Sequence, residues 1–296
     1  MIRWASAHAD IRTALLSSLP WQKIATFATA GAFTWTAPDL NNGQPYEIGV
    51  FIIGGGGSGA LDSLAYYPTG GAAGHTKVVL MTVNPGTSYA GVVGSGGSPA
   101  VKASSVSSPT PTKGNSGGTT TFAGNTALGG GGGGVYSSAY GDYAKSGSGG
   151  QVADCGFRRI DGTYRSTSPR GGDTPYIPLF NPTFSGAVLL VDCYNPVEAI
   201  NPFAPEEILL AAGGSIGLTN TNYVRVAQTG STTSYGKGGD AAFALSAPTT
   251  TMYAGNATGY GNGGGAIQAP DGNTFAAYSG AGSPGAVLIY VRKVAS

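Results

Sequence analysis

One stretch of this chain spells out a familiar chemistry: Val50-Phe51-Ile52-Ile53-Gly54-Gly55-Gly56-Gly57-Ser58-Gly59-Ala60. A strand running into GxGxxG is the dinucleotide fingerprint, in which backbone N–H groups at a helix N-terminus cradle a pyrophosphate. That mechanism needs a helix directly after the glycines and an acidic residue near the end of the next strand. Here Leu61 to Gly74 contain Pro68 and three glycines, and the next predicted strand, Thr76–Val83, ends in Asn84-Pro85 with no carboxylate. In a chain with 52 glycines in 296 residues the pattern arises readily by chance, and nucleotide binding is rejected.

Other chemistry is sparse. His8 and His75 are the two histidines, which leaves few ways to build a His-based metal site or a triad, and His75 beside Lys77 reads as a surface or loop residue. Among fourteen acidic residues the adjacent pair Glu206-Glu207 reads as a solvated turn before Ile208. A glycosidase needs two carboxylates about 5–10 Å apart in space, a separation that sequence does not fix. Cys155 and Cys193 are too few for a disulfide framework or a metal cluster; they read as small buried hydrophobes, with a single bridge between them as the alternative. No cofactor, no metal and no catalytic residue is expected.

Composition narrows the class. Charged residues make up 10% of the chain, against about 25% in ordinary globular proteins, and the formal net charge is +1, so the basic footprint of a nucleic-acid binder is missing. A hydrophobic share of 41%, with 16 tyrosines and 10 phenylalanines, argues equally against disorder. No stretch approaches the ~20 apolar residues of a membrane span, and Asp10 and Arg12 interrupt any secretory h-region near the start. Production in a host cytoplasm and release within a virion would reconcile an extracellular-looking composition with the missing export signal, and so would truncation of the chain.

The elements that must position any site are punctuated by glycine. Six consecutive glycines, Gly129–Gly134, are echoed by Gly54–Gly57 and Gly263–Gly265, and the runs follow apolar, strand-like segments. Glycine loses the most conformational freedom on folding, so ordered runs imply places where a Cβ does not fit. They lack a G-X-Y period, which excludes collagen. What remains is tight turns, or extended polyproline-II-like runs lying side by side, whose buried amides must pair with neighbouring runs because a polyproline-II strand has no internal hydrogen bonds. The expected fold is therefore all-β, with antiparallel strands flanking a bundle of polyglycine-II-like runs. Expected strands are Tyr46–Ile53, Thr76–Val83, Tyr89–Val93 as the antiparallel return of the latter across Asn84-Pro85-Gly86, and Ala286–Val291; Ile24 marks where the strand-like pattern begins. Residues 98–113 read as an exposed loop. Thr119–Asn125 and Thr249–Asn256 are echoes, each leading into a glycine run.

One short helix is expected over residues 9–20, where Ile11, Leu15, Leu16 and Leu19 form a stripe, Asp10 caps and Pro20 terminates. With Trp4 and Trp21 on its flanks it reads either as packed on its own domain or as a docking segment, residues 1–24, ahead of a glycine-rich β domain over 25–296. Residues Trp4, Ile11, Leu15, Leu19 and Trp21 are the docking candidates. An insertion at about 151–208 breaks the glycine pattern.

As an ordered set, Phe33-Thr34-Trp35-Thr36-Ala37-Pro38, Val50–Gly59, Gly70-Gly71-Ala72-Ala73-Gly74, Asn84–Tyr89, Val92–Gly97 and the closing Gly282–Val291 resemble the glycine-rich domain at the tips of bacteriophage tail fibres. The resemblance covers roughly residues 25–150 and 210–296. It implies a non-enzymatic receptor-binding adhesin located in the virion, with polyglycine-II rods holding loops towards the bacterial surface and an N-terminal segment docked on a fibre or other virion protein. The implied partner is a bacterial surface receptor, either an outer-membrane protein or a glycan. The alternatives are a structural virion component whose loops touch only neighbouring subunits and, third, a polysaccharide depolymerase.

Glycine rods carry few side chains, so recognition falls to the loops between them. Tyr136, Tyr140, Tyr143, Tyr235, Tyr260 and Tyr278 offer large contact area at low rotamer cost. Within the insertion, Arg158, Arg159, Arg165 and Arg170, with Tyr164 among them, suit phosphate or carboxylate groups.

Overall fold

The computed structural model describes residues 21–62, 68–105, 111–134, 236–245, 248–271 and 275–292, together with Gly213 and short paired segments at 157–158, 164–165, 216–218, 225–227 and 232–233. The described residues form strands and no α-helix. In chain order they are β1 (Trp21–Phe27), β2 (Gly31–Thr36), β3 (Tyr46–Ile53), β4 (Leu61–Asp62), β5 (Thr76–Val83), β6 (Ser88–Val93), β7 (Val101–Lys102), β8 (Thr120–Phe122), β9 (Asn125–Ala127) and β10 (Phe157–Arg158). They continue as β11 (Tyr164–Arg165), β12 (Ile216–Leu218), β13 (Arg225–Ala227), β14 (Thr232–Thr233), β15 (Gly236–Lys237), β16 (Ala242–Phe243), β17 (Met252–Tyr253), β18 (Ile267–Gln268), β19 (Ala277–Tyr278) and β20 (Ala286–Arg292). The helix expected over residues 9–20 lies outside the described residues, as do both cysteines, His8 and Glu206-Glu207.

Alternation of apolar side chains builds a sandwich. Two antiparallel four-stranded sheets, in the orders β1-β20-β3-β5 and β2-β6-β8-β9, face each other. Ile48, Val50, Ile52, Val287 and Ile289 of the first meet Trp35, Phe122 and Ala127 of the second. Aromatic rings carry much of that seam: Phe33 stacks on Phe27 at 4.0 Å between centroids and lies 6.0 Å from Phe122. Because side chains alternate across a strand, Phe51, Ile53, Leu288 and Tyr290 point from the opposite face of the first sheet, where Trp21, Ala28, Ala73 and Tyr260 pack on them.

The sandwich strands do not stop at its rim. β3, β6 and β9 run on into Gly54, Gly94 and Leu128; β5, β8 and β20 are fed by the segments ending at His75, Thr119 and Gly285. These continuations lie alongside one another, and their hydrogen bonds repeat every third residue. Gly54, Gly57 and Ala60 donate to the carbonyls of His75, Ala72 and Thr69; Gly55, Ser58 and Leu61 to Gly118, Asn115 and Thr112; Gly56 and Gly59 to Ser283 and Gly280. In return Gly130 and Gly133 donate to Gly55 and Ser58, Gly97 donates to Gly56, and Gly264 and Ile267 donate to Gly57 and Ala60. The run 54–60 is thus surrounded by six others. Glycine is required by closeness: a Cβ built on Gly57 falls on the Gly131 carbonyl, and one on Gly56 falls on that of Asn262.

This arrangement bears on the fingerprint motif. The N–H groups of residues 54–61, which a pyrophosphate would need, all donate to neighbouring carbonyls, and Leu61-Asp62 after them is a strand.

At the far end of the glycine runs the chain closes into two small three-stranded sheets, β16-β18-β4, all parallel, and β17-β19-β7. Leu61, Ala100, Ala254, Ile267, Phe275 and Ala277 form a separate small core there.

Three expectations are corrected. β6 is not the return of β5: β5 pairs with β3, while β6 pairs with β2 and β8. The Asn84-Pro85-Gly86 turn therefore passes the chain between sheets. The 98–113 stretch is not wholly a loop, since β7 pairs with β19 and Thr112 bridges Leu61. Strand structure begins at Trp21, ahead of Ile24, because β1 needs its full length to pair with β20 from Arg292 to Val287.

Candidate functional site

The two ends of the fold are unlike. β20 starts beside the glycine runs and ends at Arg292, whose antiparallel partner is Trp21. The described chain therefore enters and leaves side by side at the sandwich pole. The turn holding Asn41, Asn42 and Gly43, and the turn at Gly86, share that pole, because β3 starts and β5 ends there. The small sheets occupy the other pole, carried on the glycine runs.

The β17-β19-β7 sheet has two unlike faces. Cross-strand register puts Met252, Ala277 and Lys102 in one row and Tyr253, Tyr278 and Val101 in the next. The first row faces inward. Lys102 is 3% exposed; its Nζ donates to the Phe275 carbonyl at 3.0 Å and sits 4.1 Å over the Phe275 ring. Burial lowers its pKa from the usual 10.5, with Asp271 acting in the opposite direction. The second row faces out. Tyr253 is 68% and Val101 50% exposed, and the Tyr253 and Tyr278 rings stack with centroids 5.2 Å apart and planes within 12°.

Backbone pairing fixes this row. Met252 donates to Ala276, Ala254 to Tyr278, and Ser279 to Ala100, each at 2.9 Å, while Ala100 donates to the Ser279 hydroxyl at 2.8 Å. Just past β16, Leu245 is 67% exposed. In the neighbouring small sheet, Phe243, Gln268 and Asp62 share a row, and the last two are fully buried.

Of the residues expected in receptor-binding loops, Tyr278, Tyr260, Arg158, Tyr164 and Arg165 lie among the described residues. Tyr278 stands in the exposed row. Tyr260 stands at the sandwich end, half-buried against the cluster of Phe51, Ile53 and Leu288. Trp21, expected in a docking segment, begins β1 and packs on that same cluster. Arg158 and Tyr164 are directly paired in the β10–β11 hairpin, with Phe157 opposite Arg165. Tyr136, Tyr140, Tyr143, Arg159, Arg170, Tyr235, Trp4, Ile11, Leu15 and Leu19 lie outside the described residues. Tyr253 and Val101 were missed by sequence reasoning. The Thr249–Asn256 echo contained Tyr253, but its partner Tyr278 lies across another glycine run, and a two-residue strand leaves no periodicity to read.

Among the described residues no group of three or more His, Cys, Asp or Glu side chains is placed to hold a metal ion. No helix among them is long and apolar enough to cross a membrane. A family model for a glycine-rich domain matches residues 27–292. No curated protein matches the chain.

Proposed function

We propose, from the premise that this chain belongs to the glycine-rich domain family, that it is a non-enzymatic bacteriophage tail-fibre tip adhesin. It acts in the virion, where residues on its distal pole engage a receptor on the bacterial surface, and its sandwich pole faces the fibre or another virion protein. The observation that carries this reading is the polarity of the molecule. The described chain enters and leaves at one pole, and a stacked tyrosine pair, Tyr253 exposed and Tyr278 half-buried, is held at the other on runs that nearly lack side chains.

The runs themselves we read as polyglycine-II helices. What supports this is the three-residue step of every hydrogen-bond series along residues 54–61, the spacing of a helix with about three residues per turn, and six flanking runs around one. At about 3.1 Å rise per residue such a run holds the tip roughly 20–25 Å from the sandwich. Lateral bonds in six directions resist bending in every plane, which suits a spacer that must hold a small recognition surface steady. Loops on a rigid scaffold are where binding residues concentrate.

The test uses the purified full chain. It is expected to bind cells of a susceptible host and to reduce phage adsorption in proportion to its concentration. Absence of binding to every strain on which the phage plates defeats the adhesin reading. Release of reducing sugar from host polysaccharide would replace it with a depolymerase.

A further inference from the structure

The adhesin reading leaves the receptor's chemistry open between a protein and a glycan; the following rests on that reading and decides between the two. We infer that Tyr253, backed by Tyr278, is a saccharide-stacking surface whose outward ring face takes the apolar face of a pyranose ring from an uncharged stretch of a cell-surface glycan. Two features of the Tyr253–Tyr278–Val101 row carry this.

The first is charge. The row holds no formal charge, and the cation of its own sheet, Lys102, is turned to the opposite face and buried. An aromatic face is the negative part of the ring quadrupole. It complements the weakly positive C–H groups on the flat face of a sugar, whereas a peptide carrying acidic or basic side chains meets no counter-charge here. The tyrosine hydroxyls at the ring edge supply donor and acceptor capacity for the sugar's equatorial hydroxyls.

The second is preorganisation. The two rings lie within 12° of parallel at 5.2 Å, and the backbones beneath them are cross-linked through β17, β19 and β7. β17 lies at the edge of its sheet, so among the described residues the ring face of Tyr253 turned away from Tyr278 has no strand beside it. At 68% exposure that face is accessible. Little rotamer freedom remains to be lost on binding, which favours the weak, repeated contacts that sugars make.

The experiment combines arrayed glycans with treated cells. The full chain is applied to a microarray of purified bacterial lipopolysaccharides and capsular polysaccharides, and to host cells after periodate oxidation or after protease shaving. Expected are binding to at least one arrayed glycan, loss of cell binding after periodate and retention after protease. Tyr253→Ala should weaken glycan binding at least about tenfold and Tyr253→Phe by less than about threefold, because the second keeps the ring face. Both variants should melt with the parent, since the side chain is mostly exposed.

Cell binding that survives periodate and is lost to protease overturns the saccharide inference and leaves the adhesin standing with a protein receptor. Glycan binding that Tyr253→Ala leaves unchanged overturns the stacking surface and keeps the glycan. Binding to no cell of any susceptible host overturns the adhesin reading itself, and the inference with it.

Discussion

Gly57 and Gly86 are glycine for different physical reasons, and substitution separates them. At Gly57 a methyl group would sit on the Gly131 carbonyl, a backbone atom hemmed in by its own lateral bonds, so relief requires moving a whole run. Gly86 has nothing within 4 Å of a built Cβ but holds φ at +75°, so its substitution is strained only locally. Gly57→Ala should cost about 3 kcal/mol or more, as overpacking against backbone does, and Gly86→Ala about 1 kcal/mol. In a chain of this size each kcal/mol moves Tm by about 2–4 °C, so calorimetry of the two variants resolves them; equal melting would remove the close-packing argument. Lys102 gives a second residue-scale test, with a definite sign. Its folded pKa is depressed by burial, so between that value and 10.5 the unfolded chain binds the proton more tightly, and stability rises as pH climbs through the window. Lys102→Met should abolish that rise. Parallel pH profiles of urea midpoints for the two proteins would show that the ammonium is solvated.

At the scale of elements, the bonds of the run 54–61 differ from those of a strand. An edge strand protects alternate amides, whereas here every consecutive N–H from Gly54 to Leu61 has a carbonyl partner, drawn in rotation from the segments at 69–75, 112–118 and 280–283. Native-state hydrogen exchange should therefore show unbroken protection along the run, comparable to β3 that precedes it. Exchange at loop-like rates in any two neighbours would dissolve the bundle. These elements were unequally legible in the amino-acid sequence. β3 and β5 were read with their observed limits, because each is an apolar, β-branched segment and glycine or Asn-Pro marks its end. The partner of β5 was misread: a turn signal at Asn84-Pro85-Gly86 specifies reversal, but not whether the chain reverses within a sheet or between two. β17 and β19 were invisible as a pair, for two residues give no period and their pairing follows the neighbouring glycine runs. Tyr278 was chosen as a loop tyrosine; its value comes from Tyr253, which only the assembled runs bring alongside.

For the molecule as a whole, the two poles make unlike demands on the chain between them. The sandwich buries large side chains on both faces of its first sheet, as a self-sufficient base would. The distal sheets have a core of mostly small residues, with Leu61, Ile267 and Phe275 as its bulk, and depend on the runs for position. The consequence is a directional tolerance to added mass. A folded domain of ~100 residues, a typical domain size, joined ahead of Trp21 should leave adsorption-blocking activity within about threefold, because Trp21 and Arg292 adjoin at the pole that the adhesin proposal turns away from the receptor. The same domain inserted beside Leu245, which is 67% exposed just past β16 in the other distal sheet, should abolish blocking while leaving the sandwich intact. Circular dichroism and melting of both fusions establish that each is folded, and competition against phage adsorption reads the result. If the distal insertion blocks adsorption as well as the parent does and the N-terminal fusion does not, recognition belongs to the sandwich pole, and the glycine runs must be assigned the opposite task of holding the protein to its particle.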